Sequence, residues 1–169
     1  MAVVPKRQRS KDKIVTDRKS LASILFGLKA QGKVIVLTNG VYDLLHVGHV
    51  RCLEDARSRG DFLVVAVNSD ASAEKGKGKG HPVVTAEERM EVLAGLGFVD
   101  YVTEFDEDTP KDLIEMLTPQ VLAKGEDWRD KGVVGREWVE SHGGQVILVP
   151  LRQGKSTTSI VEKVLKNAR

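Results

Sequence analysis

Apolar residues occur along the chain in short continuous runs, separated by longer segments in which they recur every three or four positions. The runs at 33–38, 62–68, 121–124 and 145–151 are mainly apolar, which is typical of strands buried on both faces of a parallel sheet. A shorter strand is predicted at 101–103. Because these strands alternate with helical segments, the pattern predicts an α/β fold with a doubly wound parallel sheet.

Residues that typically cap helices predict where several of the helices begin. Residues 85–88 read Thr-Ala-Glu-Glu, a capping box that opens a helix to about residue 95. The pair Thr109-Pro110 predicts a cap, with proline at the first position of a helix that runs through Leu117. Residues 71–81 contain too many glycines for a helix or a strand. The remaining helices are predicted at 17–30, 48–59 and 133–142 and from about residue 156.

Length and composition indicate one ordinary globular domain. The chain has 169 residues, of which 41% are hydrophobic and 30% charged, so a single domain with a sizeable core is expected over 14–169. Residues 1–13 are polar and basic and are expected to form a flexible tail, with a contact to nucleic acid or an anionic membrane as the alternative. The net charge of +2, from 26 basic and 24 acidic residues, does not suggest a general nucleic-acid binder.

The expected compartment follows from cysteine usage and apolar content. Cys52 is the one cysteine of the sequence, so no intramolecular disulfide can form and a reducing compartment is expected. No apolar run is long enough to span a membrane, and the first residues lack the apolar segment of a secretory signal. A cytoplasmic protein without a membrane partner is therefore expected.

The first candidate for chemistry is the segment 38–49, Thr-Asn-Gly-Val-Tyr-Asp-Leu-Leu-His-Val-Gly-His, which lies where a strand ends and a helix begins. Ligands of parallel sheets bind at this edge, and a helix amino terminus attracts an anion. Gly40 would let the backbone approach a phosphate, and Gly48 would leave space between the histidines. His46 and His49 lie on one helical turn and could donate hydrogen bonds to a phosphoryl group that gains charge in the transition state.

Three other interpretations compete for this histidine pair. A zinc site could use His46, His49 and Cys52. However, residues spaced by three positions point in progressively different directions around a helix, and no second Cys or His is nearby in the sequence to complete four ligands. Two histidines in the core would seldom flank a glycine at the start of a helix. Aminoacyl-tRNA synthetases share the motif, but 169 residues cannot hold such an enzyme with its tRNA-binding parts.

A second segment with phosphate-binding character is Gly154-Lys-Ser-Thr-Thr-Ser159, which again follows a strand and precedes a helix. Its hydroxyl and amide groups suit the outer phosphates of a nucleotide, and Lys155 adds positive charge. Helix capping by Ser156 or Thr157 is the structural alternative. The presence of the histidine pair at the same sheet edge favours the phosphate site.

Three further candidates each have a structural alternative. The glycine-lysine repeat of 74–80 could close over phosphates or could be a solvated loop. Arg89 could contact a phosphate or form a surface salt bridge with a neighbouring glutamate. Residues 124–128 follow a strand and could line a base pocket, whereas Trp128 could belong to the core. The sequence shows no carboxylate pair, catalytic triad or thiolate nucleophile, but phosphoryl transfer mainly needs positioned anions and neutralised charge, usually with Mg²⁺.

Eight stretches between about Lys33 and Lys166 carry a family resemblance: TNGVYDLLHVGH (38–49), VAVNSDAS (65–72), KG-x-x-HPV (77–83), ERM (88–90), VD (99–100), EDTP (107–110), KGEDW (124–128) and GKSTTSI (154–160). In this order they resemble the bacterial D-glycero-β-D-manno-heptose 1-phosphate adenylyltransferases, within the cytidylyltransferase-like nucleotidyltransferase superfamily. The resemblance implies a Rossmann-like sheet and adenylyl transfer from ATP, with Mg²⁺, to a sugar 1-phosphate. The products would be pyrophosphate and ADP-heptose, a sugar nucleotide that feeds lipopolysaccharide core biosynthesis.

The resemblance also implies roles for individual residues. The catalytic residues would be His46, His49 and Lys77. Substrate would be bound by Asp70, Lys77 and Arg89, and Asp43 would order its loop. No resident metal is implied, whereas a homodimer and a separate heptose kinase are, since no kinase domain fits in 169 residues. The nucleotide would contact Thr38, Asn39, Gly40, Val41, Asp43, Gly48, Lys124, Gly125, Asp127, Ser156, Thr157 and Thr158.

Departures from the family pattern leave the acceptor and the base open. The family commonly has arginine where this chain has His81, and glycine where it has Glu126. Glycerol-3-phosphate cytidylyltransferases are the alternative enzyme class, but they usually carry arginine where this chain has Leu151. Archaeal-type FAD synthetases are also similar, with weaker matches at 39–43 and 68–72. A nucleotide-binding sensor without turnover is the alternative outside the enzymes, and the retention of both histidines argues against it.

Overall fold

The computed structural model of the protein describes residues 9–150 and 157–167, which contain one five-stranded sheet. The strands are β1 (Ile35–Gly40), β2 (Phe62–Asn68), β3 (Tyr101–Phe105), β4 (Val121–Gly125) and β5 (Gln145–Val149). They lie in the order β3-β2-β1-β4-β5, and every pair of neighbours is parallel. This confirms the predicted doubly wound α/β fold and puts the topological switch point between β1 and β4.

Helices cover both faces of the sheet. Their bounds are α1 (Ser10–Lys13), α2 (Arg18–Ala30), α3 (Val47–Arg57), α4 (Asp70–Lys77), α5 (Ala86–Gly95), α6 (Lys111–Leu117), α7 (Arg136–Ser141) and α8 (Thr157–Asn167), with a 3-10 turn at Glu126–Trp128. On one face, α3 and α5 pack against Leu63, Val65 and Val67 of β2. On the other, α2, α6 and α7 pack against Val64 and Ala66 of the same strand. Both faces of β2 are therefore buried, which explains its uninterrupted apolar sequence.

The sequence located most elements to within a few residues. The strand predicted at 101–103 extends to Phe105, and the helix predicted at 133–142 begins later, at Arg136. The capping box of α5 is present, because the Thr85 hydroxyl accepts from the Glu88 amide and the Glu88 carboxylate accepts from the Thr85 amide. The start of α6 was predicted less well: Pro110 occupies the N-cap, and no side chain caps the helix.

The loop predicted at 71–81 is wrong in its first half, where the chain forms α4. Local hydrogen bonds outweigh the low helix propensity of its glycine. The Ser69 side chain caps the helix by accepting from the Ser72 amide, and the Ser72 hydroxyl donates to the carbonyl of Glu107. Ser72 and Ala73 are buried against the sheet. The helix stops at Gly78, whose φ of 94° lies in the left-handed region that favours glycine.

The last residues of the segment predicted as a flexible tail contact the domain. Lys13 donates hydrogen bonds to the carbonyls of Leu96 and Val99 at 3.0 and 2.7 Å, and Ile14 forms a parallel bridge with Val102. These contacts hold Lys13 and Ile14 beside the β3 edge of the sheet. The expectation of flexibility for residues 1–8 lies outside the described residues.

Candidate active site

The carboxyl ends of β1 and β4 meet at the switch point, where several predicted nucleotide-binding residues lie. Lys124, at the end of β4, is buried and donates from Nζ to the Asn39 side-chain oxygen at 2.8 Å and to the Asn39 carbonyl at 3.2 Å. Thr38, on the strand before Asn39, is also buried. A lysine thus bridges the two strands that diverge at the point where parallel sheets bind ligands.

The two histidines stack at the amino terminus of α3. His46 is the N-cap residue, and its Nδ1 accepts a hydrogen bond from the Gly48 amide at 3.1 Å. Because Nδ1 accepts, the proton of neutral His46 resides on Nε2, which makes that nitrogen a donor. The rings of His46 and His49 lie 3.9 Å apart between centroids, with an interplanar angle of 19°. The Nε2 donor of His46 therefore belongs to the residue at the amino terminus of α3, where the helix dipole is positive.

His49 is kept neutral by its surroundings. Burial, the adjacent His46 and the charge of Lys77 lower the pKa of His49 to about 4, against a small opposing effect of the Leu44 backbone. Its Nδ1 is buried and has no well-formed hydrogen bond to any described residue. A bound phosphate would add negative charge beside this ring and would stabilise its protonated form.

Tyr42 forms a wall of the site that the sequence did not indicate. Its φ of 52° is in the left-handed region, which is uncommon for a residue with a large side chain. The ring meets His49 edge-on at 5.4 Å, and its hydroxyl lies 3.5 Å from the Thr38 hydroxyl. A Cβ atom added to Gly40 would come within 3.2 Å of this ring. Gly40 therefore makes room for Tyr42, in addition to its expected role near a phosphate.

Asp43 ties the histidine loop, defined as residues 41–46, to the segment before α5. Its carboxylate has no exposed surface. One oxygen accepts from the Val83 and Val84 amides at 2.7 and 3.1 Å, and the other contacts Nδ1 of His81 at 3.1 Å. Burial opposes the charge of Asp43, but these hydrogen bonds and Lys77 hold its pKa below the usual value. The contacts agree with the expectation that Asp43 orders a loop.

Arg89 is buried, so the predicted surface salt bridge is wrong. Its side chain has no exposed surface, and its nitrogens donate to four protein oxygens. Nε donates to the Val84 carbonyl at 2.9 Å, and Nη1 to the Val41 carbonyl at 2.5 Å. Nη2 donates to the Asn68 carbonyl at 2.9 Å and to the Asp70 carboxylate at 2.7 Å. This burial argues against a direct contact between Arg89 and phosphate.

Lys77 is exposed on the last turn of α4, on a helix and not on the loop that was expected. Its charge lowers the pKa of both Asp43 and His49, so it lies close to the histidine site. Lys75 differs, because it pairs with Asp108 at 3.2 Å. The electrostatic influence of Lys77 therefore reaches His49 and Asp43.

The segment after β4 surrounds Lys124 with an aromatic ring and a carboxylate. The ammonium group of Lys124 lies 4.6 Å from the centroid of the Trp128 ring. Burial lowers the pKa of Lys124 to about 8, although Asp127 and Cys52 act in the opposite direction. Trp128 also packs partly against the core, as one of its two predicted roles requires, and its role in a base pocket stays a prediction. Gly125 precedes the 3-10 turn that carries Asp127.

An open cavity of about 500 Å³ lies beside the histidine loop. It is lined by α4 and by the segment before α5, through Asp70, Glu74, His81, Val83 and Thr85 among others. Asp70 contributes a half-exposed carboxylate, and His81 joins this wall to Asp43. The cavity is the right size for a small polar molecule.

The structure brings most of the predicted site residues to the carboxyl edge of the sheet. Only part of the second phosphate-binding segment, 154–159, belongs to the described residues. Ser156 lies outside the described residues, as does the side chain of Thr158. Thr157 begins α8 and is buried. Within 9–150 and 157–167, no group of three metal-ligating side chains of the His, Cys, Asp or Glu type is present. The described helices include none long and apolar enough to cross a bilayer.

Comparison with known proteins identifies relatives. The model of the cytidylyltransferase-like family matches residues 37–164. The bifunctional protein HldE of Geobacter sulfurreducens is 58% identical over 146 residues, which are 86% of this chain and 30% of that relative. The bifunctional protein HldE of Pelobacter propionicus is 52% identical over 155 residues, 92% of this chain and 32% of the relative. The chain thus spans about a third of the length of these relatives.

Solved structures with similar folds are more distant in sequence. A lipopolysaccharide core biosynthesis protein from Thermoplasma volcanium has a TM-score of 0.61 and 24% identity, over 73% of this chain and all of that chain. Pantoate-beta-alanine ligase from Francisella tularensis, complexed with beta-gamma ATP and beta-alanine, has a TM-score of 0.61 and 17% identity, over 90% of this chain and 77% of that chain. These likenesses concern the fold.

Proposed function

The chain belongs to the cytidylyltransferase-like family, and from this premise we propose that it is a nucleotidyltransferase that moves the adenylyl group of ATP to a sugar 1-phosphate. The proposed acceptor is D-glycero-β-D-manno-heptose 1-phosphate, and the products are ADP-heptose and pyrophosphate. The observation that carries the proposal is the stacked pair of His46 and His49 at the start of α3, beside the switch point of the sheet. Identity of 46–58% to bifunctional HldE proteins supports the acceptor that the family resemblance implies.

The reaction forms one phosphorus–oxygen bond and breaks another. An oxygen of the acceptor phosphate attacks the α-phosphorus of ATP, and the bond from that phosphorus to the bridging oxygen of the β-phosphate breaks. The nucleophile is already an anion near neutral pH, because the second pKa of a phosphate monoester is about 6. No general base is therefore needed, and the protein has to align two anions and offset their charge.

The described residues suit this task. We propose that Nε2 of His46 donates to the oxygens of the α-phosphate, where charge grows in the transition state. His49 would stabilise that charge by donating a hydrogen bond from its neutral ring. The amino terminus of α3 adds a positive dipole, and Lys77 adds a positive charge from α4. The proposed nucleotide site extends to Asn39, Lys124 and Asp127, and to Ser156, Thr157 and Thr158 at the start of α8.

We propose that the sugar of the acceptor lies in the cavity between α4 and the segment before α5. Asp70 and Glu74 can accept hydrogen bonds from sugar hydroxyls there. His81 lines the same cavity at a position where the family commonly has arginine, so the acceptor contacts would differ in detail. If the acceptor is the usual one, His81→Arg should raise activity toward heptose 1-phosphate, and it should lower activity if the acceptor differs.

Mg²⁺ is the proposed metal, and it would enter with the nucleotide. Mg²⁺ usually keeps waters and binds substrate phosphates with one or two carboxylates, a mode that needs no resident cluster of protein ligands. When bound, it would screen the charge of the triphosphate. We also propose a cytoplasmic homodimer and, as the source of the acceptor, a separate heptose kinase.

The test is a pyrophosphate-release assay of ATP and CTP against heptose 1-phosphate and glycerol 3-phosphate, with Mg²⁺ present. ATP with heptose 1-phosphate should give a product with the mass of ADP-heptose, and CTP with glycerol 3-phosphate only a trace. Faster use of CTP would contradict the adenylyl assignment and favour the cytidylyltransferase alternative. ATP binding without pyrophosphate release from any acceptor would favour the nucleotide sensor.

A further inference from the structure

Two buried charged residues of opposite sign connect the histidine loop to the cavity wall. Asp43 belongs to the loop after β1 and holds the 81–84 segment, whereas Arg89 belongs to α5 and holds the loop after β1. Asp43 thus reaches from the histidine loop to the segment before α5, and Arg89 reaches from α5 back to the histidine loop. Val84 takes part in both contacts, since its amide donates to Asp43 and its carbonyl accepts from Arg89.

We propose that Asp43 and Arg89 form a brace that sets the position of His46, and that Arg89 is a positioning residue and does not bind phosphate. This proposal rests on the proposed function for its kinetic consequence only. Its structural basis is the complete burial of both side chains and the use of every Arg89 nitrogen on protein oxygens. A nucleotide that reached Arg89 would have to break those hydrogen bonds in a buried place, which is costly.

The contacts of Arg89 depend on the shape of the arginine side chain. The guanidinium contacts oxygens in four segments: the histidine loop, the end of β2, the start of α4 and the residue before Thr85. Its planar fork presents five N–H donors in fixed directions, and a lysine offers one compact ammonium group. Arg89→Lys would keep the charge near Asp70 but could not hold the Val41 and Val84 carbonyls together. The histidine loop would then shift relative to the bound phosphate.

The expected kinetic effect is a loss of turnover without a loss of binding. Misplacement of a reacting group by about 1 Å can lower a rate by about 10²-fold, so we expect kcat of Arg89→Lys to fall by that order. The Kd for ATP, measured by calorimetry without acceptor, should stay within about twofold, because the outer phosphates do not touch the guanidinium in this proposal. An Arg89 that bound phosphate would show the opposite pattern, with a raised Kd.

A second readout does not depend on turnover. Burial and the stacked His46 keep the pKa of His49 near 4, and NMR titration of the imidazole resonances can follow it in the free protein. A shifted loop would separate or expose the rings, so the pKa of His49 in Arg89→Lys should rise toward 6.5. Because this measurement needs no acceptor, it tests the brace even if the proposed reaction is wrong.

Arg57→Lys is the matched control, because Arg57 also joins a helix to a carboxylate, at 3.0 Å from Asp100, and to a backbone carbonyl, that of Gly60. It lies at the far end of α3, so its replacement should leave kcat and the pKa of His49 unchanged. If Arg89→Lys does not fold, Asp43→Asn provides the test. Its oxygen can still accept from the Val83 and Val84 amides, which favours folding, but an NH2 group replaces the oxygen that contacts His81 and the buried charge is lost, which weakens the brace. It should lower kcat and leave the ATP Kd unchanged. A raised ATP Kd with normal kcat in either variant, or wild-type values of kcat and the His49 pKa, would overturn the proposal.

Discussion

The buried state of His49 makes a specific prediction about stability and pH. In the unfolded chain a histidine has a pKa of about 6.5, and in the folded protein the pKa of His49 is lowered to about 4 by burial, His46 and Lys77. Between these values the unfolded chain binds a proton that the folded protein does not. The free energy of unfolding should therefore fall as the pH drops from 6.5 toward 4, and this contribution should be fully present above 6.5.

The magnitude follows from the two pKa values. Linkage gives a loss of about 2 kcal/mol between pH 7 and pH 5 for a histidine with these two values. Since part of the His49 ring remains accessible to solvent, the measured loss should lie between about 1 and 2 kcal/mol. Urea unfolding of the wild type and of His49→Asn at both pH values isolates the contribution of His49 together with its coupling to His46, because the remaining titrating groups are shared.

The control for this experiment is His142→Asn. His142 stacks on Trp138 at 4.2 Å on the outside of α7, away from the site, so His142→Asn reports the effect of replacing a histidine that lies outside the site. The free energy of unfolding of the wild type minus that of His49→Asn should be lower at pH 5 than at pH 7 by about 1–2 kcal/mol. The same pH dependence in these two proteins would refute the reasoning, because it would mean that His49 gains its proton as readily in the folded protein as in the unfolded chain.

Three further predictions concern turnover and binding. His46→Ala should lower kcat by about 10²-fold, the usual effect of losing a donor to transition-state charge, and leave the fold intact by circular dichroism; wild-type turnover would remove His46 from the mechanism. Thr157→Val should weaken ATP binding in calorimetry but leave AMP binding unchanged, because the proposed contact is to the outer phosphates; equal loss for both would indicate a folding defect at the buried start of α8. Lys77→Ala should reduce kcat/KM, whereas Lys75→Ala, which removes only the exposed pair with Asp108, should be nearly neutral in the same assay; equal effects would mean that the lysines supply only diffuse charge.

The sequence by itself determined the sheet and indicated where the candidate site lies. Strands buried on both faces must be apolar at every position, so their runs are visible without alignment. The capping box of α5 is likewise local, since it depends on Thr85 and Glu88 three residues apart. The histidine motif was recognisable because a glycine and two histidines at the junction of a strand and a helix serve a local geometry. These features depend on residues that are neighbours along the chain.

Only the tertiary structure decided which side chains face one another across the chain. The sequence suggests a surface or phosphate contact for Arg89, but the side chain is buried and donates to four protein oxygens. These partners cannot be read from the sequence, because one of them lies 48 residues away. The contact of Asp43 with His81, and that of Lys124 with Asn39, also join segments that are distant in the sequence. Helix α4 forms despite Gly76, because the Ser69 side chain caps it and the Ser72 hydroxyl reaches the Glu107 carbonyl. Local propensity and spacing contain no information about such long-range hydrogen bonds, which supply the free energy that decides these positions.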